Sequence, residues 1–483
     1  MAVNRAELLE LCRTNPEAVV DIIEKQDRVI TQLTERIVQL EARIVELEAR
    51  LNRTSRNSSQ PPSMDGFRRV QSPRKKGERP PGGQLGHKGQ TLEMVENPDE
   101  IAFHRVQVCQ GCRTSLVDED PVKIERRQVH DTEFRIRVTE HRAEHKRCPE
   151  CGMMNRGEFP SDVQFPVQYG PNLKALMVYL CVYQLVPYDR IREMFSDIFG
   201  RSLSTGTLVN AVQESYRNLA GVEERIRDLL KDSKVIHVDE TGMRVTGIRQ
   251  WLHVASTDFL TWYGHHKKRG KRATDDMQIL PRFKGTMVHD FRASYFRYPS
   301  RHAICNAHLL RELNGISENY QHTWSLDLHD LILEIKHQVD AARANSCSLS
   351  SSTIADFEAR YVRILESGLN EISSEEIPDS PTKRGRKKQS KARNLLDRCR
   401  KFPPEVLAFM HNLSIPFTNN LAERDIRMAK VQQKISGTFR SENGASAFCR
   451  IRGYISTTRK NNKPVLDSLI GAFRGTPFIP LHA

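Results

Sequence analysis

Apolar residues near the start of the chain recur with a seven-residue period. Ile23, Ile30, Ile37, Ile44 and Leu51 mark one position, and Leu33, Leu40 and Leu47 mark a second three residues on. A seam that is β-branched at a and leucine at d predicts a parallel two-stranded coiled coil within residues 1–52. The flanking charges agree, because Arg36 can meet Glu41 of a second chain and Arg43 can meet Glu48. A homodimer or higher oligomer is therefore expected.

The period then breaks. "NRTSRNSSQPPSMDGFRRVQSPRKKGERPPGGQLGHKGQ" is rich in Pro, Gly, Ser and Arg, and predicts a flexible basic linker over 53–98. Helical periodicity returns in 161–232. There "PYDRIREMFSDIFG" and "TGTLVNAVQESYRNLA", joined by "RSLS", fit a helix-turn-helix and an ordinary helical hairpin equally well. In a DNA reader, Ser204, Thr205, Thr207 and Asn210 would stand at the leading edge of the second helix.

After Asp232 the pattern becomes that of strands: "SKVIHVDETGMRV", "RQWLHVAST", "FLTWYGHH" and, past a short helix, "GTMVHDFRASY". Strands followed by helices predict an α/β layer architecture, a mixed sheet covered by helices. "KVIHVDETG" places Asp239 beside Glu240. Neighbours on a strand point to opposite faces, so only one of the two can serve a given site. A buried carboxylate needs a cationic partner, a rim position or a metal. Asp290 ends the strand "GTMVHD". Two carboxylates on neighbouring strand ends, with a third from a helix, would form a cage of hard oxygen ligands for Mg²⁺ or Mn²⁺. Two such ions about 4 Å apart can promote in-line phosphoryl displacement.

"PFTNNLAERDIRMAK" offers Glu423 and Asp425 as the third acid, although Asn420 and Glu423 also fit a helix-capping pair. Asp290 follows Asp239 by 51 residues, and Glu423 follows Asp290 by 133. The second interval exceeds the needs of a compact core, so a largely helical insertion is expected at about 313–409, carrying the basic run "TKRGRKKQSKAR". A catalytic domain over 233–450 then leaves a C-terminal tail, 451–483. "CNAHLLREL" sets Cys305 and His308 on one helical turn. Two ligands do not make a metal site, and a packing or hydrogen-bonding role is the simpler reading.

Cys109, Cys112, Cys148 and Cys151 form two C-x-x-C knuckles 35 residues apart. Paired knuckles of this type predict a structural, four-thiolate Zn²⁺ module over 99–160, with a strand hairpin in "QVHDTEFRIRVTEHRAEHKR" between them. The chain carries 74 Lys and Arg against 60 Asp and Glu. From Asn52 to Thr91 there are nine basic and two acidic residues, and from Pro381 to Lys401 ten and one. Such local excess favours a polyanion, although solvated basic loops are common. Candidate phosphate contacts are Lys267, Lys268, Arg269 and Lys271 in "KKRGKR", and Arg424, Arg427, Lys430 and Lys434 along one helix face. The charged N-terminus lacks an export signal, and "LKALMVYLCVYQLV" is too short to span a bilayer. A soluble, cytoplasmic protein with no membrane partner is expected.

"HVDETGMRV", "WLHVAST", "VHDFRASY", "CNAHLLREL", "PFTNNLAERDIRM", "VQQKISGTFRS" and "IRGYISTTRK", with "NSSQPPS", "GGQLGHKG" and the paired knuckles upstream, resemble the transposases of the bacterial insertion-sequence-66 family, TnpC type. The resemblance runs in the same order over nearly the whole chain. It implies a ribonuclease-H-like DDE catalytic domain with the triad Asp239, Asp290 and Glu423, catalytic Mg²⁺ or Mn²⁺, and structural Zn²⁺. It further implies DNA as partner (element ends and target), accessory proteins of the same element, and nucleoid association when bound to DNA. The competing expectations are a non-catalytic zinc-dependent DNA-binding protein with a decayed nuclease core, and a hydrolase that cuts without joining.

Overall fold

The structure is a computed structural model that describes residues 5–58, 65, 92–375 and 389–481. Most of the basic linker expected over 53–98, and the part of the second basic run at 376–388, lie outside those residues. The chain divides into two compact units, one within 71–164 and 194–201 and the other within the remainder.

In the larger unit, α1 (Arg5–Thr14) leads into α2 (Pro16–Leu51). Asn15 caps α2 by accepting from the Ala18 amide, and Pro16 takes the first helical position, where an amide hydrogen is not needed. The a and d side chains of α2 are all exposed, from 43% at Leu47 to 77% at Leu51. α2 meets α1 at its start and α8 at its end. Ala49 is buried there, and just beyond it Asn57 donates to Glu318 at 2.9 Å.

The smaller unit contains the cysteine knuckles. β1 (His145–Arg147) and β2 (Met154–Arg156) pair antiparallel around the second knuckle, and a bridge between Val108 and Ser115 closes the first. The strand hairpin expected between the knuckles does not form: residues 121–144 carry no strand. The apolar residues there stay exposed or half-buried, with only Phe134 meeting another ring among the described residues, that of Phe199, so alternation alone does not produce a sheet.

Helices α3 (Pro171–Val178), α4 (Tyr188–Phe199), α5 (Thr205–Asn218) and α6 (Ala220–Asp232) follow, with a π-helical turn at Tyr179–Tyr183. Ser204 caps α5 by accepting from the Thr207 amide. Next come β3 (Val235–Val245), β4 (Ile248–Ser256), β5 (Thr261–His266), α7 (Lys271–Asp276), β6 (Thr286–His289) and β7 (Arg301–Ile304). They make one sheet in the order β5-β4-β3-β6-β7. The first three strands are antiparallel, while β6 runs parallel to β3 and β7 parallel to β6. Thr246 and Gly247, with φ of 50° and 78°, form the two-residue turn between β3 and β4. Positive φ at both positions matches the twist of a tight hairpin. Ile236, His237 and Val238 are buried in succession, as expected of a central strand covered on both faces.

The insertion is helical: α8 (Asn306–Tyr320), α9 (Thr323–Ala344), α10 (Ser351–Glu375), α11 (Lys391–Lys401), α12 (Pro403–Val406) and α13 (Ala408–His411). Trp324, Leu328, Ile332, Tyr361 and Leu396 form its core, which is continuous with Val288 and Ala303 of the sheet. Its two ends meet, since the Asn306 amide donates to the Phe417 carbonyl at 3.1 Å. α14 (Asn420–Ser436) packs on β3 and β4, and α15 (Glu442–Lys460) packs on β5. Gly453 allows that approach, because a Cβ there would stand 3.1 Å from the Thr261 carbonyl. The expected tail at 451–483 is therefore corrected. Ile451, Tyr454 and Ile455 of α15 and Leu469 of α16 (Val465–Phe473) are buried in the body of this unit. No helix among the described residues is long and apolar enough to cross a membrane.

Candidate active site

β3 separates its two acids by function. The Glu240 side chain is only 2% exposed. Its Oε1 accepts from Arg269 at 2.9 and 3.1 Å and from Arg292, and its Oε2 accepts from the Tyr295 hydroxyl. Two guanidinium groups and a phenol compensate this buried charge, so Glu240 anchors the surrounding loops. Among the described residues Asp239 has no cationic partner of this kind. Its Oδ1 accepts from the Glu240 amide at 2.8 Å. Burial first, then the negative charges of Glu240 and Asp290, push its carboxyl well above the ordinary range, and Glu423 adds to the same push.

The parallel register explains why Asp290 lies nearby. Val235 pairs with Thr286, Ile236 with Met287 and His237 with Val288, an offset equal to the interval between Asp239 and Asp290. Asp290 lies one residue past β6, and the same offset carried two residues beyond the last pair sets it level with Asp239 in β3. Burial pushes its carboxyl up to about 6, helped by Glu240 and opposed by Arg292 and Arg269.

The third acid comes from α14. Asn419 stands at the N-cap, yet its side chain does not cap the helix. Its Oδ1 pairs with His237 Nδ1 at 2.9 Å, its Nδ2 donates to the Val238 carbonyl at 2.9 Å, and its amide donates to Cys305 Sγ at 3.1 Å. Asn419 therefore seats α14 on β3 immediately before Asp239, and Glu423 follows one turn later. Glu423 Oε1 is buried and has no hydrogen-bond partner among the described residues. It stands 3.6 Å from His308 Nδ1 and 4.0 Å from Arg311. The capping pair considered from sequence is not formed. Asp425, the other acid in this segment, is structural: it binds Lys460 at 2.8 Å and Ser456 and Thr261 at 3.2 Å.

Asp239, whose proton affinity Asp290 and Glu423 both raise, makes with those two acids, one of which has an orphaned oxygen, the kind of donor set that a hard divalent cation stabilises. The residues present fit Mg²⁺ or Mn²⁺. The ligand atoms of Asp239, Asp290 and Glu423 are not all within 4.8 Å of one another, whereas those of Cys305, His308 and Glu423 are.

The basic candidates divide in two. Arg269 is held by Glu240 and lies over Trp251, while Lys271 binds Asp275 at 2.7 Å. Lys267 is exposed and pairs with Glu442 at 2.8 Å, and Lys268 is exposed. On α14, Arg424, Arg427, Lys430 and Lys434 are exposed along one face. Lys430 donates to the Gly242 carbonyl at 2.5 Å. Arg292, Tyr295 and Asn419 escaped the sequence reading. The signal available for Arg292 was its place two residues after Asp290; Asn419 had only the "NN" pair at the helix start.

Both knuckles form the same turn. The first-cysteine amide donates to the carbonyl five residues on (Thr114 or Met153), and its carbonyl accepts from the amide four residues on (Arg113 or Gly152). Arg113 and Gly152 take φ of 62° and 67°. Hydrogen bonds from Thr114, side chain first and then backbone, bring the Cys112 thiol down to about 7. Amides of Cys151 and Glu150 lower that of Cys148. These features favour thiolates, which are what zinc binds. The two turns are formed singly, and the four sulfurs do not gather within 4.8 Å.

The site thus combines a mixed sheet carrying Asp239 within its central strand, Asp290 just past the neighbouring strand, and a third acid at the start of a helix. Residues 166–447, more than half of the chain, match the model of the Transposase IS66 family, and residues 12–93 match a Family of unknown function (DUF6444). The chain belongs to the IS66 family of transposases, and DNA is the substrate its family implies. A search of curated proteins finds no match.

Proposed function

We propose that the chain is a DDE transposase that binds the ends of a mobile element, cuts them and joins them to target DNA, with Asp239, Asp290 and Glu423 as metal-binding acids on a ribonuclease-H-like domain. The observation that carries this reading is the β3/β6 register, which sets Asp290 beside Asp239 while Glu423 adds its charge to the same space. Mg²⁺ or Mn²⁺, when bound, supplies activation of a water or 3′-hydroxyl and stabilisation of the leaving oxygen. The chain's own part is placement. Glu240 with Arg269, Arg292 and Tyr295 fixes the loops after β5 and β6, and Asn419 fixes the start of α14 against β3. Lys268, Arg424, Arg427 and Lys434 are the exposed cations best placed to meet phosphates.

Cys109, Cys112, Cys148 and Cys151 are proposed to share one structural Zn²⁺, and the exposed seam of α2 to pair with a second copy. The test is a strand-transfer assay on the element's own ends. Asp239→Asn is expected to lower strand cleavage by at least about 10²–10³-fold, the range for losing one transition-state contact, while end binding stays within about twofold. Wild-type cutting in EDTA would overturn the metal assignment.

A further inference from the structure

Cys305 and His308 look too few for a metal, but the fold delivers a third ligand from far along the chain. Cys305 closes β7, His308 lies on the first turn of α8, and Glu423 projects from the first turn of α14. One ligand atom from each lies within 4.8 Å of the other two. We propose that Cys305, His308 and Glu423 form a second cation site of the Zn²⁺ or Co²⁺ class, which shares Glu423 with the carboxylate cage. This site deepens the transposase reading only in what it does to Glu423.

Four observations carry it. His308 Nδ1 and Glu423 Oε1 are both buried and, among the described residues, lack hydrogen-bond partners, though 3.6 Å apart. Two ligands bound at about 2.1 Å to a tetrahedral zinc stand about 3.4 Å apart, so little adjustment brings both onto one ion. The Asn419 amide points at Cys305 Sγ from 3.1 Å, the kind of outer hydrogen bond that orients a thiolate ligand. The donor set is sulfur, imidazole and carboxylate, which suits a borderline-soft ion and not Mg²⁺. Cys305 is fully buried, but the Glu423 side chain is 28% exposed and His308 19%, so an ion can approach from the side of the acids. Three protein ligands leave a fourth position open. With the ion absent, Arg311 at 4.0 Å faces Glu423. With it bound, Oε1 is committed to the softer ion and the cage loses its third acid, so Zn²⁺ opposes Mg²⁺ in cleavage.

Zinc equivalents and cobalt absorption of the full chain decide the matter. Wild type is expected to hold one more equivalent of Zn²⁺ than either Cys305→Ala or His308→Gln, and its Co²⁺ form to show extra thiolate-to-cobalt absorption lost in Cys305→Ala. The difference is expected to persist when Cys109→Ser and Cys112→Ser disable the first knuckle, and in Asp239→Asn. Equal zinc content and an unchanged cobalt spectrum with and without these side chains would overturn the site. If Cys305→Ala does not fold, His308→Gln decides by itself. Because neither readout uses cleavage, an inactive wild type would refute the DDE reading and leave this one standing or falling alone.

Discussion

From Val235 to Ile304 every strand of the sheet contributes buried side chains, whereas from residue 92 to residue 164 not one residue is buried. Val122 and Val129 in that segment are almost wholly in solvent. Both regions carry the proposed metal ligands, but hold them by different means. The sheet fixes Asp239 and Asp290 through strand register and a close-packed interior, which needs no ion to exist. The knuckle segment has two well-made turns and no apolar core between them, and a segment of that size without a core depends on metal or a partner for its order.

Removing zinc should break the comparison most visibly. Structural zinc supplies on the order of 10 kcal/mol or more to small modules. Chelation is therefore expected to abolish amide-exchange protection at Arg113 and Gly152 while β3 and β6 keep theirs. Equal protection before and after would mean that the knuckles order without metal. Glu240→Ala tests the other side. Leaving Arg269 and Arg292 without their buried partner should cost about 3–5 kcal/mol and appear as a lowered unfolding midpoint, with the knuckle segment unaffected. A midpoint unchanged within error would remove the anchoring role.

The smallest effect belongs to Glu371. It accepts from the Thr323 and Trp324 amides at 2.9 and 3.3 Å, capping α9, which has no cap of its own. Burial raises its proton affinity, but hydrogen bonds from Thr323 and Trp324 outweigh that and hold the carboxyl below its ordinary 4.5. A folded value below the unfolded one means stability that is present above pH 4.5 and lost as pH falls through the lower, folded value. Glu371→Gln is expected to cost about 1 kcal/mol near neutral pH and to flatten that acid dependence. A titration identical to wild type would exclude the cap.

Much of this was legible in residue order. The heptads of α2, the strands around Asp239 and Asp290, and the helical insertion follow from periodicity, which is local. What stayed hidden was non-local. That Glu240 anchors and Asp239 faces the other acids depends on Arg269 and Arg292, and Arg269 alone looks like one more residue of a basic loop. Residues 451–483 resembled a tail because α15 is buried nearly all round: Arg452, Thr457 and Thr458 are interior, and polar residues in an enclosed helix blur the amphipathic stripe. Arg452 finds partners in the Val182 and Tyr183 carbonyls, at 3.4 and 3.1 Å, at the end of the π-helical turn. Glu423 joined Cys305 and His308 only through the seat that Asn419 provides.

The bond between the Asn306 amide and the Phe417 carbonyl closes the helical bundle into a loop whose two ends meet beside β7, on which α12 and α13 also pack. Closing a longer loop adds only about 0.6 kcal/mol per doubling of length. Nature or an engineer could therefore enlarge, shrink or exchange this appendage while β7 and α14 keep their footing, so long as the replacement covers the apolar surface it leaves behind.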